Sequence, residues 1–139
     1  MVASTYTGNA LLNLLTRGVA WAAPVRVYVS LHTADPGVTG ANEVTLAAWP
    51  SYVRVDAANG GAVGTGFAAA ANKGNANAQE LLWPAAMDGD NPITITHFAL
   101  WDAAAGGNCL ASGALTAPKT LAKTDEFVTH AGKLTASVT

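Results

Sequence analysis

Residues Ile93 to Trp101 read ITITHFALW. The first half alternates isoleucine with threonine, and the second half is apolar at consecutive positions. Successive side chains of a strand point to opposite faces, so such a segment needs cover on both sides. That requirement makes it the central strand of a sheet, and the rest of the chain must supply its neighbours and its two covers. Val25 to Leu31, VRVYVSL, offers the next strand. Val25, Val27, Val29 and Leu31 alternate with Arg26, Tyr28 and Ser30, a period of two that predicts one buried face.

Shorter candidates follow the same logic. Tyr52 to Asp56 alternates, and Glu80 to Trp83 is a short strand stopped by Pro84. Asn108 to Leu115 reads as the hairpin partner of the central strand across the turn Asp102–Gly107. Thr120-Leu121 begins another short strand, and Leu134 to Thr139 is expected to close the sheet. Phe67 to Gly74, FAAAANKG, stays open between helix and loop, because its alanines favour helix and its flanking glycines oppose it. The one convincing helix is Thr7 to Arg17, with Leu11, Leu14 and Leu15 on one face. Thr7 or Asn9 serves as its N-cap, Arg17 suits its C-terminal end, and Gly18 terminates it.

Short strands divided by Gly/Pro turns predict an all-β fold, a jelly-roll-like β-sandwich with one short N-terminal α-helix. A chain of 139 residues fits a single domain, 1–139, with an N-terminal arm and helix over 1–24 and the sandwich over 25–139.

Charge is scarce. Asp, Glu, Lys and Arg make up 12% of the residues, against about 25% in an ordinary soluble domain. A chain with so little surface charge is expected to bury part of its surface against its own copies or a partner. The seven Lys and Arg residues are scattered from Arg17 to Lys133, so no cationic footprint for nucleic acid is formed. No apolar run reaches the length of a membrane span, so no membrane partner is expected. ALLNLLTRGVAWAAP imitates a signal peptide, but no basic residue precedes it, and Asn13 and Arg17 interrupt it.

The polar residues offer several chemistries. His32 and Asp35, in Leu31–Gly37 (LHTADPG), resemble a catalytic pair, but Asp before Pro-Gly more simply opens a turn. No G-x-S-x-G elbow accompanies them, so no hydrolase is expected. Cys109 with His97 or His130 offers a thiol nucleophile, against the plainer reading of a small buried strand residue. As the lone cysteine it excludes an intrachain disulfide and a Cys-rich zinc site. Asp88, Asp90 and Asn91 present oxygen ligands of the kind calcium takes, yet the twelfth position of an EF-hand loop is Ala99 rather than glutamate. Gly64-Thr65-Gly66 with Ala69 imitates a dinucleotide fingerprint without the strand before it or the helix after it. The reading is no enzyme, no cofactor and no metal. Of the tryptophans, Trp83 and Trp101 are expected in the core and Trp49 as a loop anchor beside Pro50 and Tyr52.

A family resemblance rests on three stretches: VYVSLHTADPGVTGANEV, then YVRV, then ITHFALWDAAAGGNCLASGALT. With the leucine helix before them, these resemble a group of small bacteriophage virion proteins labelled tail-fibre-like or capsid decoration (cement) proteins. The likeness is most specific at Leu31–Pro36 and Phe98–Asp102 and runs over most of the chain. The sequence departs from the family at Leu46–Ser51, LAAWPS, where a glycine run is usual, and in a longer Asp88–Pro92 loop. The resemblance implies a homotrimeric decoration protein that binds the outside of the major capsid protein lattice and stabilises it. The alternative it implies is a tail-fibre or adhesin module that binds host glycan. Trp49, Tyr52 and Trp21 are the expected interface residues, large aromatics being the usual anchors of contact.

Overall fold

The computed structural model describes residues 1–86 and 92–137. In chain order the elements are β1 (Val2–Ala3), α1 (Thr5–Arg17), β2 (Tyr28–His32), β3 (Val55–Asp56) and a 3-10 turn (Val63–Thr65). Then come β4 (Gly74–Ala76), β5 (Leu81–Trp83), β6 (Ile93–Trp101), β7 (Cys109–Leu121), β8 (Phe127–Thr129) and β9 (Thr135–Ser137). All strand pairs are antiparallel. The main sheet runs β1-β7-β6-β2-β3, and two ribbons, β4-β9 and β5-β8, accompany it. The result is an all-β sandwich fold with one short N-terminal helix.

The segment ITITHFALW is β6, third of the five strands. It pairs with β7 through a hairpin whose turn is tied by Asp102. One carboxylate oxygen accepts the Asn108 backbone N–H at 2.7 Å, and the other accepts the Asn108 side-chain amide at 2.8 Å. Gly107 in this turn has φ +72°, and a Cβ there would lie 2.5 Å from Asp102 Oδ1. β7 continues to Leu121, so Thr120-Leu121 belongs to it rather than to a separate strand. Beyond Ser112, where β1 stops, the outer edge of β7 has no strand partner among the described residues.

The main core lies on one face of the sheet. Val29 and Leu31 of β2, Ile93 and Ile95 of β6 and Leu121 of β7 meet Leu81 and Trp83 of β5 and Phe127 of β8 there. Trp83 and Phe127 pack edge to face, with ring centroids 5.4 Å apart. Trp101 lies with Ala99 and Cys109 in a smaller cluster on the opposite face.

Several expectations change. β2 begins at Tyr28, and Val25 is 87% exposed. Both faces of β2 are buried, because Ser30 and His32 are as enclosed as Val29 and Leu31. The chain after His32 supplies the second cover. It turns at Asp35-Pro36-Gly37 and passes back over the sheet, where a Cβ on Gly40 would lie 2.4 Å from the Trp101 ring. Only Val55–Asp56 of the Tyr52–Asp56 stretch pairs as strand, since the Tyr52 hydroxyl takes the Leu31 N–H instead. Phe67–Gly74 is neither helix nor loop throughout. Phe67 bridges to Asn77, and Asn72 and Lys73, at φ +51° and +65°, form a tight turn closed by Ala71 and Gly74. The C-terminal strand β9 pairs with β4 in a ribbon and does not join the main sheet.

α1 starts at Thr5, two residues before the expected start. β1 delivers Ser4 to the sheet, its N–H donating to the Leu110 carbonyl, and its hydroxyl then caps the helix by accepting the Thr7 N–H at 3.1 Å. Ser4, and not Thr7 or Asn9, is therefore the N-cap. Gly18 ends the helix at φ +65°, as expected.

Candidate functional site

Two regions qualify: a buried polar cluster behind the main sheet, and the surface of α1 with the arm after it.

The cluster begins at LHTADPG. Ser30 and His32 sit two apart on β2, so both point to the second face. His32 Nδ1 lies 2.6 Å from the Ala41 carbonyl oxygen, which can only accept, so Nδ1 carries the proton and Nε2 is bare. The Ser30 hydroxyl donates to Nε2 at 2.7 Å and accepts the Trp101 indole N–H at 2.8 Å. Burial holds the His32 pKa below its ordinary value, consistent with a neutral ring. A serine hydroxyl donating to a histidine has nucleophile–base geometry, but Ser30 and His32 are both 0% exposed. No substrate carbonyl reaches that oxygen in this conformation.

The second half of the cluster is ionic. Arg54 grips Glu43 with two parallel bonds, Nε to Oε1 at 2.9 Å and Nη2 to Oε2 at 2.8 Å. Its remaining nitrogen donates to the carbonyls of Ala103 and Gly106 in the β6–β7 turn, and its guanidinium lies 3.7 Å from the centroid of a Trp101 ring. Tyr52 donates to Glu43 Oε1 at 3.0 Å while accepting the Leu31 N–H at 2.9 Å. Burial pushes the Glu43 carboxyl up, but the Arg54 and Tyr52 bonds outweigh it and its pKa falls below the usual carboxylate value. Burial and the Glu43 charge raise the Tyr52 phenol far above its usual value, so the hydroxyl stays protonated. The network fastens residues 43–54 to the sheet and to its main hairpin. Sequence reading missed it, although the alternation that puts Ser30 beside His32 and Tyr52 beside Arg54 was available.

The other singled-out residues scatter. Asp35 accepts the Gly37 N–H at 2.8 Å, the turn chemistry expected of it. Cys109 is buried, which raises its thiol pKa, and it pairs with Trp101. His97 pairs with Ala114, four positions along β6, while exposed His130 contacts Glu80 at 2.6 Å, so the thiol–histidine pair is not assembled. Gly64-Thr65-Gly66 closes a 3-10 turn with no helix following, so the dinucleotide fingerprint has no scaffold. Asp88, Asp90 and Asn91 lie outside the described residues. Among the described residues no group of three or more His, Cys, Asp or Glu side chains is placed to hold a metal ion.

The expected interface aromatics also divide. Trp49 is 0% and Tyr52 6% exposed, so both belong to the core of their own chain and neither offers contact area to a partner. The cause is local. The Trp49 indole N–H donates to Ser51, whose hydroxyl donates to the Ala85 carbonyl, and Trp49 leans on Tyr52 with centroids 5.7 Å apart. Trp21 differs. It is half-buried, packs edge-on against exposed Tyr6 and lies beside α1.

α1 is amphipathic yet buries no residue. Leu11, Leu12, Leu14 and Leu15 are 40%, 59%, 42% and 72% exposed, and Val19 and Val25 in the arm that follows are exposed as well. Single exposed leucines are ordinary, but a contiguous set of this kind marks a contact surface. Of the three enclosed side-chain polar atoms without a hydrogen-bond partner among the described residues, Thr7 Oγ1 and Trp21 Nε1 lie in this same region and Trp83 Nε1 lies in the main core. No helix among the described residues is long and apolar enough to cross a membrane.

These features define a small antiparallel β-sandwich with a sealed polar interior and an outward-facing apolar helix. The sequence model of a family described as "Podophage GP4 fiber I protein gp80" matches residues 2–137. The chain belongs to that family, described as a phage fibre family, and is thus a structural component of the bacteriophage virion. No curated protein matches it.

Proposed function

We propose that the protein is a non-enzymatic structural subunit of a phage fibre, joined to its own copies, most simply as a homotrimer, through the surface of α1 and the arm to Val25. The observation that carries this is a 13-residue helix with no buried residue and four exposed leucines. Apolar area of this kind is stabilised only when something covers it. The scarcity of charge agrees, because little desolvation opposes close contact. Arg26 and Arg54 are committed to Asp56 and Glu43, which leaves less cationic surface for nucleic acid. The fibre in the family's description supports this reading beside that of a decoration protein on the major capsid protein, and glycan binding lacks the exposed tryptophan platform it calls for.

Cryo-electron microscopy of intact particles tests this reading. Density for the chain confined to a fibre, with α1 at a subunit contact, supports it. Density repeated over the icosahedral shell overturns it in favour of the decoration role.

A further inference from the structure

The surface that α1 displays has a counterpart on the same chain. A groove of about 480 Å³ opens where the main core reaches the surface, and Val27, Val63, Phe67, Ala69, Leu100 and Leu110 line it. Leu100 and Leu110 are core residues, and Val27 and Phe67 pack half-buried against that core. No charged side chain lines the groove.

α1 matches it in apolar character and in lack of charge. Gly8, Leu11, Leu12 and Leu15 fall at i, i+3, i+4 and i+7, the spacing by which a helix anchors in an apolar groove. Glycine inside a helix weakens it, and nothing in the chain's own packing requires one here, since a Cβ on Gly8 would meet no atom within 4 Å. A smooth spot beside exposed leucines suits the close approach of another surface. Arg17 is the only charged side chain in residues 1–25, so helix and groove meet without an unpaired charge between them. Within its own chain α1 packs on β1 and β7, and its leucines stay exposed.

We propose that the leucine stripe of α1 in one copy seats in the Val27–Phe67–Leu100–Leu110 groove of a neighbouring copy. This rests on the reading of α1 as an assembly surface and names what covers it. The contact is heterologous: each copy gives a helix and receives one, and a rotation that closes generates a ring.

The test is light scattering on the full chain and two variants at exposed positions, with circular dichroism to check the fold. Leu12→Asp/Leu15→Asp spoils the helix, and Ala69→Arg spoils the groove. Each alone is expected to weaken association at least ~30-fold and drive the mass to that of the 14.0 kDa monomer. Mixing the two is expected to restore a dimer, because one intact helix and one intact groove remain. Should either variant lose its fold, Leu12→Ser/Leu15→Ser and Val63→Glu replace them. If the groove variant stays oligomeric while the helix variant is monomeric, helices pair with helices; this inference falls and the assembly reading stands. If both variants keep the wild-type mass, or the wild type is itself a monomer at micromolar concentration, both fall.

Discussion

The back of the sheet and the N-terminal helix are finished to different degrees. Behind β2 and β6, Ser30, His32, Trp101, Tyr52, Glu43 and Arg54 satisfy one another at 2.6–3.0 Å, with backbone carbonyls taking the remaining protons. Around α1 the pattern inverts: leucines face outward, and Thr7 Oγ1 and Trp21 Nε1 are enclosed without partners. Burying polar groups is tolerated when every one is bonded, and exposing apolar ones when something later covers them. In the assembly proposed above, the contrast separates what the chain completes for itself from what its copies would cover.

Four variants probe that division. Trp49→Ala removes a fully enclosed side chain and is expected to cost about 3–5 kcal/mol in a denaturant melt, with no selective effect on subunit association. Loss of association in an otherwise stable protein would return Trp49 to the interface. Tyr52→Phe strands the Leu31 N–H and leaves Glu43 Oε1 with only its Arg54 bond, and a urea midpoint should register about 1–3 kcal/mol.

The third probe uses pH. The folded pKa of His32 lies below its ordinary value of 6.5, so the unfolded chain binds the extra proton first. The stability contribution of the neutral ring is therefore full above 6.5 and is lost as pH falls through 6.5 toward the folded value. His32→Asn should flatten that part of the stability–pH profile, measured by melts between pH 7 and pH 5. A profile as steep as wild type would mean that another group titrates there. The smallest effect belongs to α1. Leu12→Ser/Leu15→Ser should change the monomer's stability by no more than about 0.5 kcal/mol while altering its association. A loss on the scale of Trp49→Ala would place α1 in the core and erase the comparison.

What was legible in the sequence follows the same line. The central strand β6, its hairpin turn and the Asp35 turn were readable because strand periodicity and turn chemistry are local. The helix was readable too, but a helical period says only that an apolar face exists, not what lies against it. Tyr52 and Trp49 were misplaced at an interface for the converse reason. Their burial depends on Leu31 and Ala85, 21 and 36 positions away in opposite directions (52 − 31 and 85 − 49), with the contact to Ala85 passing through Ser51. The Ser30–His32 contact escaped notice because one-sided alternation assigned Ser30 to solvent and His32 was weighed only with Asp35, whereas residues 33–45 fold back over that face.

The open edge of β7 is where the sequence acts against unwanted contacts. In the proposed assembly, copies held side by side would meet at effective concentrations on the order of mM, where an unpaired strand edge is a template for promiscuous pairing. On that edge Pro118 has no N–H to offer and Lys119 adds a positive charge. Such a strand resists growing into a continuous ladder however crowded its neighbours become, which leaves the order of the proposed assembly to side-chain contacts instead of backbone stacking.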